Sequence, residues 1–332
     1  YTRRDLEIWS ESAARAFTAY GVTRDDVFSV GYGYGLFTGG LGAHYGVEYV
    51  GATVIPTSTG NTEKHLRLLR DLKVTGIACT PSYALYLAEA MEKRGMTADD
   101  ISLRIGAFGA EPWTEKMRQE IESRLGLKAY NLYGLSEIIG PGVSYECECK
   151  NGSHISEDHF YPEIVDPETL EPLPYGTQGE LVFTTLTKTG MPLIRYRTRD
   201  LCSLMDGKCG CGRTNVRMTR IIGRCDDMLI IRGINVFPSQ VESVILEMPE
   251  FEPVYLMVVD RAGCLDTLQV QVEVRRDFIS DELGEMLRLR KKLADRLKSV
   301  LSISADVKLM EPGSISRSEG KSVRVIDRRS LD

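Results

Sequence analysis

Several blocks of this chain carry side chains that could do chemistry. Two of them are Arg195-Tyr196-Arg197-Thr198-Arg199-Asp200 and Gly223-Arg224-Cys225-Asp226-Asp227-Met228, and a third is Gly320-Lys321 near the C-terminal end. Each falls at a junction between expected elements, where a side chain is free to serve a ligand. Upstream stands Asn131-Leu132-Tyr133-Gly134-Leu135-Ser136-Glu137. Asp200 closes an arginine-rich strand. Its carboxylate could accept hydrogen bonds from both hydroxyls of a ribose, or it could pair with Arg195, Arg197 or Arg199 in a mainly structural ion pair. Gly134 lets a ligand come close to the backbone. Glu137 is a hard oxygen donor of the kind that suits Mg²⁺ bridging phosphates. Read alone, the simpler account of this block is a turn closing a strand, with Glu137 in solvent.

The run Tyr32-Gly33-Tyr34-Gly35-Leu36-Phe37-Thr38-Gly39-Gly40 is aromatic and too glycine-rich for a stable core helix. Rings on a glycine loop can line a flat apolar pocket; for Tyr34, burial under a sheet is an equal alternative. Two nucleotide signatures fail by one residue each. Gly31-Tyr32-Gly33-Tyr34-Gly35 lacks the third glycine of a dinucleotide loop, because Leu36 stands there. Gly320-Lys321-Ser322 lacks the first glycine of a P-loop, because Ile315 stands there.

Four of the eight cysteines form two Cys-x-Cys pairs, Cys147/Cys149 and Cys209/Cys211. In a reducing compartment such pairs favour metal over disulfide. Asn151-Gly152 predicts a two-residue hairpin turn that pairs Lys150 with Ser153 and sets Cys149 opposite His154. Cys149, His154, Cys209 and Cys211 are then the expected ligands of a structural Zn²⁺, with Cys147 in reserve. Cys79, Cys202, Cys225 and Cys264 read as small, partly buried residues.

The elements that must position these groups change texture along the chain. Strands at Val27–Val30, Thr53–Pro56, Gly76–Thr80 and Ile105–Phe108 alternate with helices at Glu63–Leu72, Ser82–Arg94 and from Thr114 to Leu125. That alternation predicts a mostly parallel sheet covered on both faces. After Glu137 strand signals dominate, as in a small antiparallel sheet or barrel. A third texture begins at Asp226. It comprises strands at Met228–Ile231, Val254–Val259 and Leu268–Val274, then a helix capped by Ser280 whose stripe is Leu283, Met286, Leu287, Leu293, Leu297, Val300 and Leu301. Core packing accounts for that stripe.

The chain has 332 residues, enough for more than one core, and a formal net charge of −6. That balance gives no general attraction to nucleic acid or to anionic membrane. No apolar run approaches the roughly 20 residues of a membrane span, and no secretory signal opens the chain, so a cytoplasmic protein is expected.

In order and spacing, the blocks around Tyr133, Asp200, Arg224 and Lys321 resemble the adenylate-forming superfamily, and within it the phenylacetate–CoA ligases. The resemblance covers nearly the whole chain. It implies an α/β fold, with a large AMP-binding N-terminal domain carrying a small β subdomain (1–225) and a mobile α+β C-terminal domain (226–332). It implies an aryl- or arylacetate–CoA ligase that uses ATP, Mg²⁺ and CoA. Among the site residues, Glu137 would hold Mg²⁺, while Tyr133, Gly134 and the loop Gly109-Ala110-Glu111-Pro112 would contact adenine. Asp200 and Arg224 would bind the ribose or phosphate side, and Lys321 would be the catalytic lysine. Asp226 would be the hinge, and Tyr32 and Phe37 would face the aryl ring. A homodimer is held open. A Ser/Thr/Gly-rich phosphate loop and a larger N-terminal segment would precede Tyr1, so the chain reads as a fragment. Loading of a different acid, transfer to a carrier protein, and a non-catalytic nucleotide-binding remnant are the rival readings.

Overall fold

The chain enters helix α1 (Arg3–Ala19) through a capping box, in which the Asp5 N–H donates to the Thr2 hydroxyl and the Thr2 N–H donates to the Asp5 carboxylate. The same carboxylate accepts N–H bonds from Thr189 and Gly190, so this helix start is fixed to a loop far along the chain. The computed structural model describes residues 1–35, 37–225, 229–231, 234–262, 265–280, 282–317 and 323–329. They form two units: Tyr1–Pro112 with Arg118–Cys225, and Trp113–Met117 with the described residues beyond Cys225.

In the first unit, β1 (Val27–Val30), β2 (Thr53–Ile55), β3 (Gly76–Cys79), β4 (Ile105–Phe108) and β5 (Lys128–Leu135) run parallel. Helices α2 (Thr38–Val50), α3 (Thr62–Asp71), α4 (Pro81–Glu92) and α5 (Glu115–Leu125) intervene in sequence. Strands β3 and β4 are buried at every position. Continuous burial of this kind is expected of parallel strands with both faces covered.

Beyond β5 the pairing turns antiparallel. Strands β6 (Gly140–Tyr145) and β7 (Ser153–Ile155) extend the sheet, whereas β8 (Phe160–Val165), β9 (Gly179–Thr185) and β10 (Tyr196–Cys202) build a second one. Short strands β11 (Leu204–Met205) and β12 (Arg217–Met218) return to the first sheet, and β13 (Gly223–Arg224) closes the second. The large sheet has nine strands in the order β11-β12-β7-β6-β5-β4-β3-β1-β2, so β5 is the pivot between its parallel and antiparallel halves. The expected small β subdomain is therefore only partly separate: its second sheet stands alone, while four of its strands continue the main sheet.

The glycine-rich run departs from expectation. It does not stay a loop but becomes α2 from Thr38 onward. Its glycines permit close packing rather than bending. A Cβ on Gly42 would lie 2.5 Å from both Pro141 and Trp9, and one on Gly46 would lie 2.5 Å from the Ala13 Cβ. Burial of α2 against α1 and β6 outweighs poor intrinsic propensity.

In the second unit, β14 (Leu229–Ile231) and β15 (Ile234–Val236) pair as a hairpin ahead of α6 (Pro238–Leu246). The long antiparallel pair β16 (Phe251–Ala262) and β17 (Leu265–Val274) is flanked by β18 (Asp306–Met310) and β19 (Val325–Asp327), giving the order β18-β17-β16-β19. Val270, Val272 and Val274 bury one face of β17 against Leu293, Leu297 and Leu301 of α7 (Leu283–Leu301). The expected stripe is thus half right, since Leu283, Leu287 and Val300 are 74%, 46% and 46% exposed. The helix also begins later than expected: Ser280 accepts from the Glu282 N–H ahead of the first turn and does not cap it.

Candidate active site

Strands β4 and β5 are adjacent and parallel, and each delivers a loop at its carboxyl end, where open α/β sheets present their ligand crevice. After β4 comes Gly109-Ala110-Glu111-Pro112. A Cβ on Gly109 would lie 2.0 Å from the Leu132 carbonyl oxygen, so only glycine lets this loop cross β5 so closely. Ala110 takes φ 69°, in the left-handed region. Glu111 turns back into the protein and accepts from the Ser82 hydroxyl at 2.9 Å and the Ser82 N–H at 3.3 Å. A carboxylate at the first turn of α4 complements the helix dipole there and fixes the loop.

After β5 the chain pinches. A Cβ on Gly134 would lie 1.8 Å from the Gly140 carbonyl oxygen, and the register with β6 shifts between Tyr133 and Gly134. The Tyr133 hydroxyl donates to Asp200 Oδ2 at 2.6 Å. Burial, and then the charge of Asp200, push the Tyr133 phenol well above its ordinary value, so it keeps its proton at any physiological pH. Asp200 reaches this position through a bulge in β10. The register with β9 shifts between Arg197 and Leu201, and Arg199 takes φ 67°. On the other edge of β10, Asp200 pairs in register with Arg224, whose Nη1 lies 3.6 Å from Oδ1.

Three separate sequence blocks therefore meet at one carboxylate. The arginines that could have taken it are engaged elsewhere. Arg197 binds Glu180 at 2.5 Å, Arg199 lies 3.9 Å from the same carboxylate, and Arg195 binds Glu163 at 3.2 Å.

Glu137 is exposed, and its backbone carbonyl accepts from Lys188 Nζ at 2.9 Å. Burial, and then the charge of Glu137, raise the Tyr196 phenol above its ordinary value, and it also feels the charges of Arg224 and Asp200, so it lies between the two halves of the site. An exposed carboxylate of this kind is chemically suited to a hard cation. Sequence reasoning gave Tyr196 and Lys188 no role. Tyr196 was visible as the one polar aromatic in the arginine-rich block, whereas Lys188 lies in a loop that no periodicity marks. Lys321 and Asp226 lie outside the described residues.

Tyr32 is 5% exposed, and its hydroxyl lies beside the Gly109 loop, 3.7 Å from where a Cβ on Gly109 would stand. Phe37, 43% exposed, sets its ring 6.3 Å from that of Tyr32 at a 53° tilt. Tyr34 turns instead to His44, its hydroxyl 3.1 Å from Nδ1. A hydroxyl contact of 2.9 Å between Thr38 and Ser136 joins the start of α2 to the Tyr133–Glu137 block.

The cysteine pairs also converge, but with a different membership from that expected. Strand β6 ends at Tyr145, and it is Tyr145, not Cys149, that stands opposite His154. The hairpin is not closed by a two-residue Asn151-Gly152 turn, because Glu146 is drawn inward and a wider loop, 146–152, takes its place. The Glu146 carboxylate binds buried Arg118 at 2.7 and 2.9 Å and accepts the Asn131 N–H at 2.7 Å. A buried guanidinium demands this partner, and that demand overrides the local turn preference. As a result Cys147, rather than Cys149, joins His154, Cys209 and Cys211, with one ligand atom of each within 4.8 Å of the others. Cys149 is exposed beside Gly210.

A parallel sheet flanked by helices, with a carboxylate, an arginine and a tyrosine gathered where the strands end, defines the class as nucleotide-using, adenylate-forming enzymes. The family model described as AMP-binding enzyme matches residues 1–187, and the AMP-binding enzyme C-terminal domain matches 233–329. The chain is 51% identical over 343 residues to the phenylacetate-coenzyme A ligase of Thermus thermophilus, covering 99% of this chain and 77% of that protein. It is 52% identical over 333 residues to the Escherichia coli phenylacetate-coenzyme A ligase, covering 100% and 76%. A crystal structure of 2-hydroxyisobutyryl-CoA ligase in the postadenylation state with R3-HIB-AMP superposes with TM-score 0.93 at 29% identity, covering 98% of this chain and 70% of that one. The chain belongs to the AMP-binding enzyme family, in its phenylacetate–CoA ligase branch.

Proposed function

We propose that this chain carries the site of an aryl acid–CoA ligase acting on phenylacetate or a close arylacetate. A carboxylate oxygen of the acid attacks the α-phosphorus of ATP, pyrophosphate departs, and an acyl-adenylate forms. The CoA thiol, giving up its proton, then attacks the acyl carbonyl carbon. A thioester results, and AMP leaves with the electron pair of the mixed-anhydride bond. Phosphate chemistry of this kind needs positioning and charge neutralisation more than a protein nucleophile.

The carrying observation is the Tyr133–Asp200–Arg224 junction in a chain half identical to two phenylacetate-coenzyme A ligases. In this reading Asp200 accepts the ribose hydroxyls, with Tyr133 holding its second oxygen and Arg224 balancing its charge. Gly109–Pro112 and Gly134 let the backbone approach the base. Glu137 would hold Mg²⁺, which neutralises charge on the phosphates when bound. Tyr32 and Phe37 form one side of the aryl pocket. Lys321 acts on the charge developing at the α-phosphate, and a second domain from Asp226 onward rotates about that residue between the two half-reactions. ATP and CoA as co-substrates fit a cytoplasmic setting, and no helix among the described residues is long and apolar enough to cross a membrane. A structural Zn²⁺ in the cysteine–histidine cluster completes the cofactor set.

Pyrophosphate exchange with phenylacetate, run beside CoA-dependent AMP release, tests the reading. Expected are exchange without CoA and thioester formation only with it. Acetate handled better than phenylacetate would overturn the aryl assignment, and acyl transfer to a carrier protein but not to CoA would overturn the acceptor.

A further inference from the structure

The cysteine–histidine cluster draws on three segments. Cys147 leaves β6, His154 lies in β7, and Cys209 and Cys211 sit in the loop between β11 and β12. The Cys147 and Cys209 sulfurs are 3.6 Å apart, and Cys211 Sγ is 3.5 Å from His154 Nε2. A disulfide needs about 2.05 Å. In a tetrahedral zinc site with bonds of about 2.3 Å to sulfur and about 2.0 Å to nitrogen, neighbouring ligand atoms stand about 3.5–3.8 Å apart. Both observed separations lie in or at the edge of that interval.

The surroundings suit a negatively charged Cys₃His centre. Arg213, two residues beyond Cys211, brings its positive charge close to that thiol. Buried Arg217 donates to the Asn151 carbonyl at 2.7 Å and to the Asp206 carbonyl at 3.3 Å, so it ties together the two loops that supply the ligands.

The cluster also lies one residue from a group that reaches the nucleotide junction. Glu146 precedes Cys147, and its carboxylate holds the Asn131 N–H of β5 while its own N–H donates to the Asn131 carbonyl at 3.1 Å. Two residues further along β5 is Tyr133, which donates to Asp200.

Resting on the structural zinc of the proposed function, we propose that Zn²⁺ held by Cys147, His154, Cys209 and Cys211 is a clasp. It closes the 146–152 and 206–213 loops on each other, and through Glu146 it holds β5, with Tyr133 in place for the nucleotide. The ion takes no part in the reaction. Cys149 is not a ligand.

Metal analysis of the purified chain should find about one zinc per chain. Cys147→Ser and Cys209→Ser should lose it, and Cys149→Ser should keep it. Where the serine variants fail to fold, the wild-type chain is stripped with a chelator under native conditions and reloaded with Co²⁺, whose absorption reports thiolate ligation in a tetrahedral field. Stripping should lower the melting temperature and weaken AMP binding several-fold, and Zn²⁺ alone should restore both.

Absence of zinc, with no uptake of Zn²⁺ or Co²⁺, would remove the site while leaving intact any ligase activity measured on the same sample. Zinc lost by Cys149→Ser but kept by Cys147→Ser would overturn the ligand set. A stripped protein with unchanged melting and AMP affinity would overturn the clasp alone.

Discussion

At the scale of single residues, the carboxylate of Asp200 is the point on which the nucleotide reading turns. It is held from one side by the Tyr133 hydroxyl and balanced from the other by Arg224. Asp200→Asn keeps the shape but removes the charge that strengthens its hydrogen bonds. Such bonds are worth about 1.5–3 kcal/mol each, so AMP affinity should fall by about tenfold to a hundredfold, read by calorimetry. Tyr133→Phe removes only the group that orients the carboxylate and should cost less. Wild-type affinity in Asp200→Asn would place the ribose elsewhere. At the aryl end, Phe37 is exposed while Tyr32 is buried, so Phe37 is the side chain whose removal opens space without unmaking the core. Phe37→Ala should therefore shift relative kcat/KM toward bulkier arylacetates, with acetate still poor because it buries little apolar surface. An unchanged ranking of acids would remove Phe37 from the pocket.

At the scale of elements, α2 shows how packing decides a segment that composition leaves open. Gly42 faces α1 and β6, and Gly46 faces α1, with no room for a methyl group. Gly42→Ala would drive a Cβ to 2.5 Å from Pro141 and Trp9, and neither a proline ring nor a buried indole can move cheaply. Overpacking of this kind costs about 1–3 kcal/mol. Thermal melting of Gly42→Ala should fall by several degrees, while Gly33→Ala, whose Cβ meets nothing within 4 Å, should melt like the parent. Equal melting in both variants would mean that the α1–α2 contact is looser than these distances imply. The β6–β7 connection teaches the same lesson: Asn151-Gly152 favours a tight hairpin, but Glu146 is bound to β5 and to buried Arg118, and the pairing of β6 with β7 stops at Tyr145 and His154.

At the scale of the whole molecule, acid stability has an identifiable contributor in the first unit. His65 is fully buried, with Nε2 2.8 Å from the Ser29 hydroxyl and Nδ1 3.2 Å from the Tyr83 hydroxyl. Burial lowers its pKa to about 4, so the folded chain keeps the ring neutral. The unfolded chain protonates it near the ordinary value of about 6.5. The stability arising from this difference is present above about pH 6.5 and is lost as pH falls toward 4, for a total of about 3 kcal/mol. Chemical denaturation of His65→Gln at several pH values should show a flatter decline over that window than the parent. Parallel declines would assign the effect to other groups, such as His159, which burial also lowers.

The amino-acid sequence by itself determined the parallel strands from β1 to β4 and the helices α3 to α5, because their patterns are local and both periods can be read without knowing what covers them. It also supplied the blocks at Gly109, Tyr133, Asp200 and Arg224, and with them the family. Only the tertiary structure decided which partners those residues take. A bulge in β10 turns Asp200 to Tyr133 and Arg224 and leaves Arg197 to Glu180. Register between β6 and β7 brings Cys147 to the cluster and leaves Cys149 at its rim. Close contact with α1 folds a glycine-rich run into α2. Each of these outcomes is a choice between partners far apart in sequence. It is settled by burial and charge compensation in the assembled fold, and neither is visible in a window of neighbouring residues.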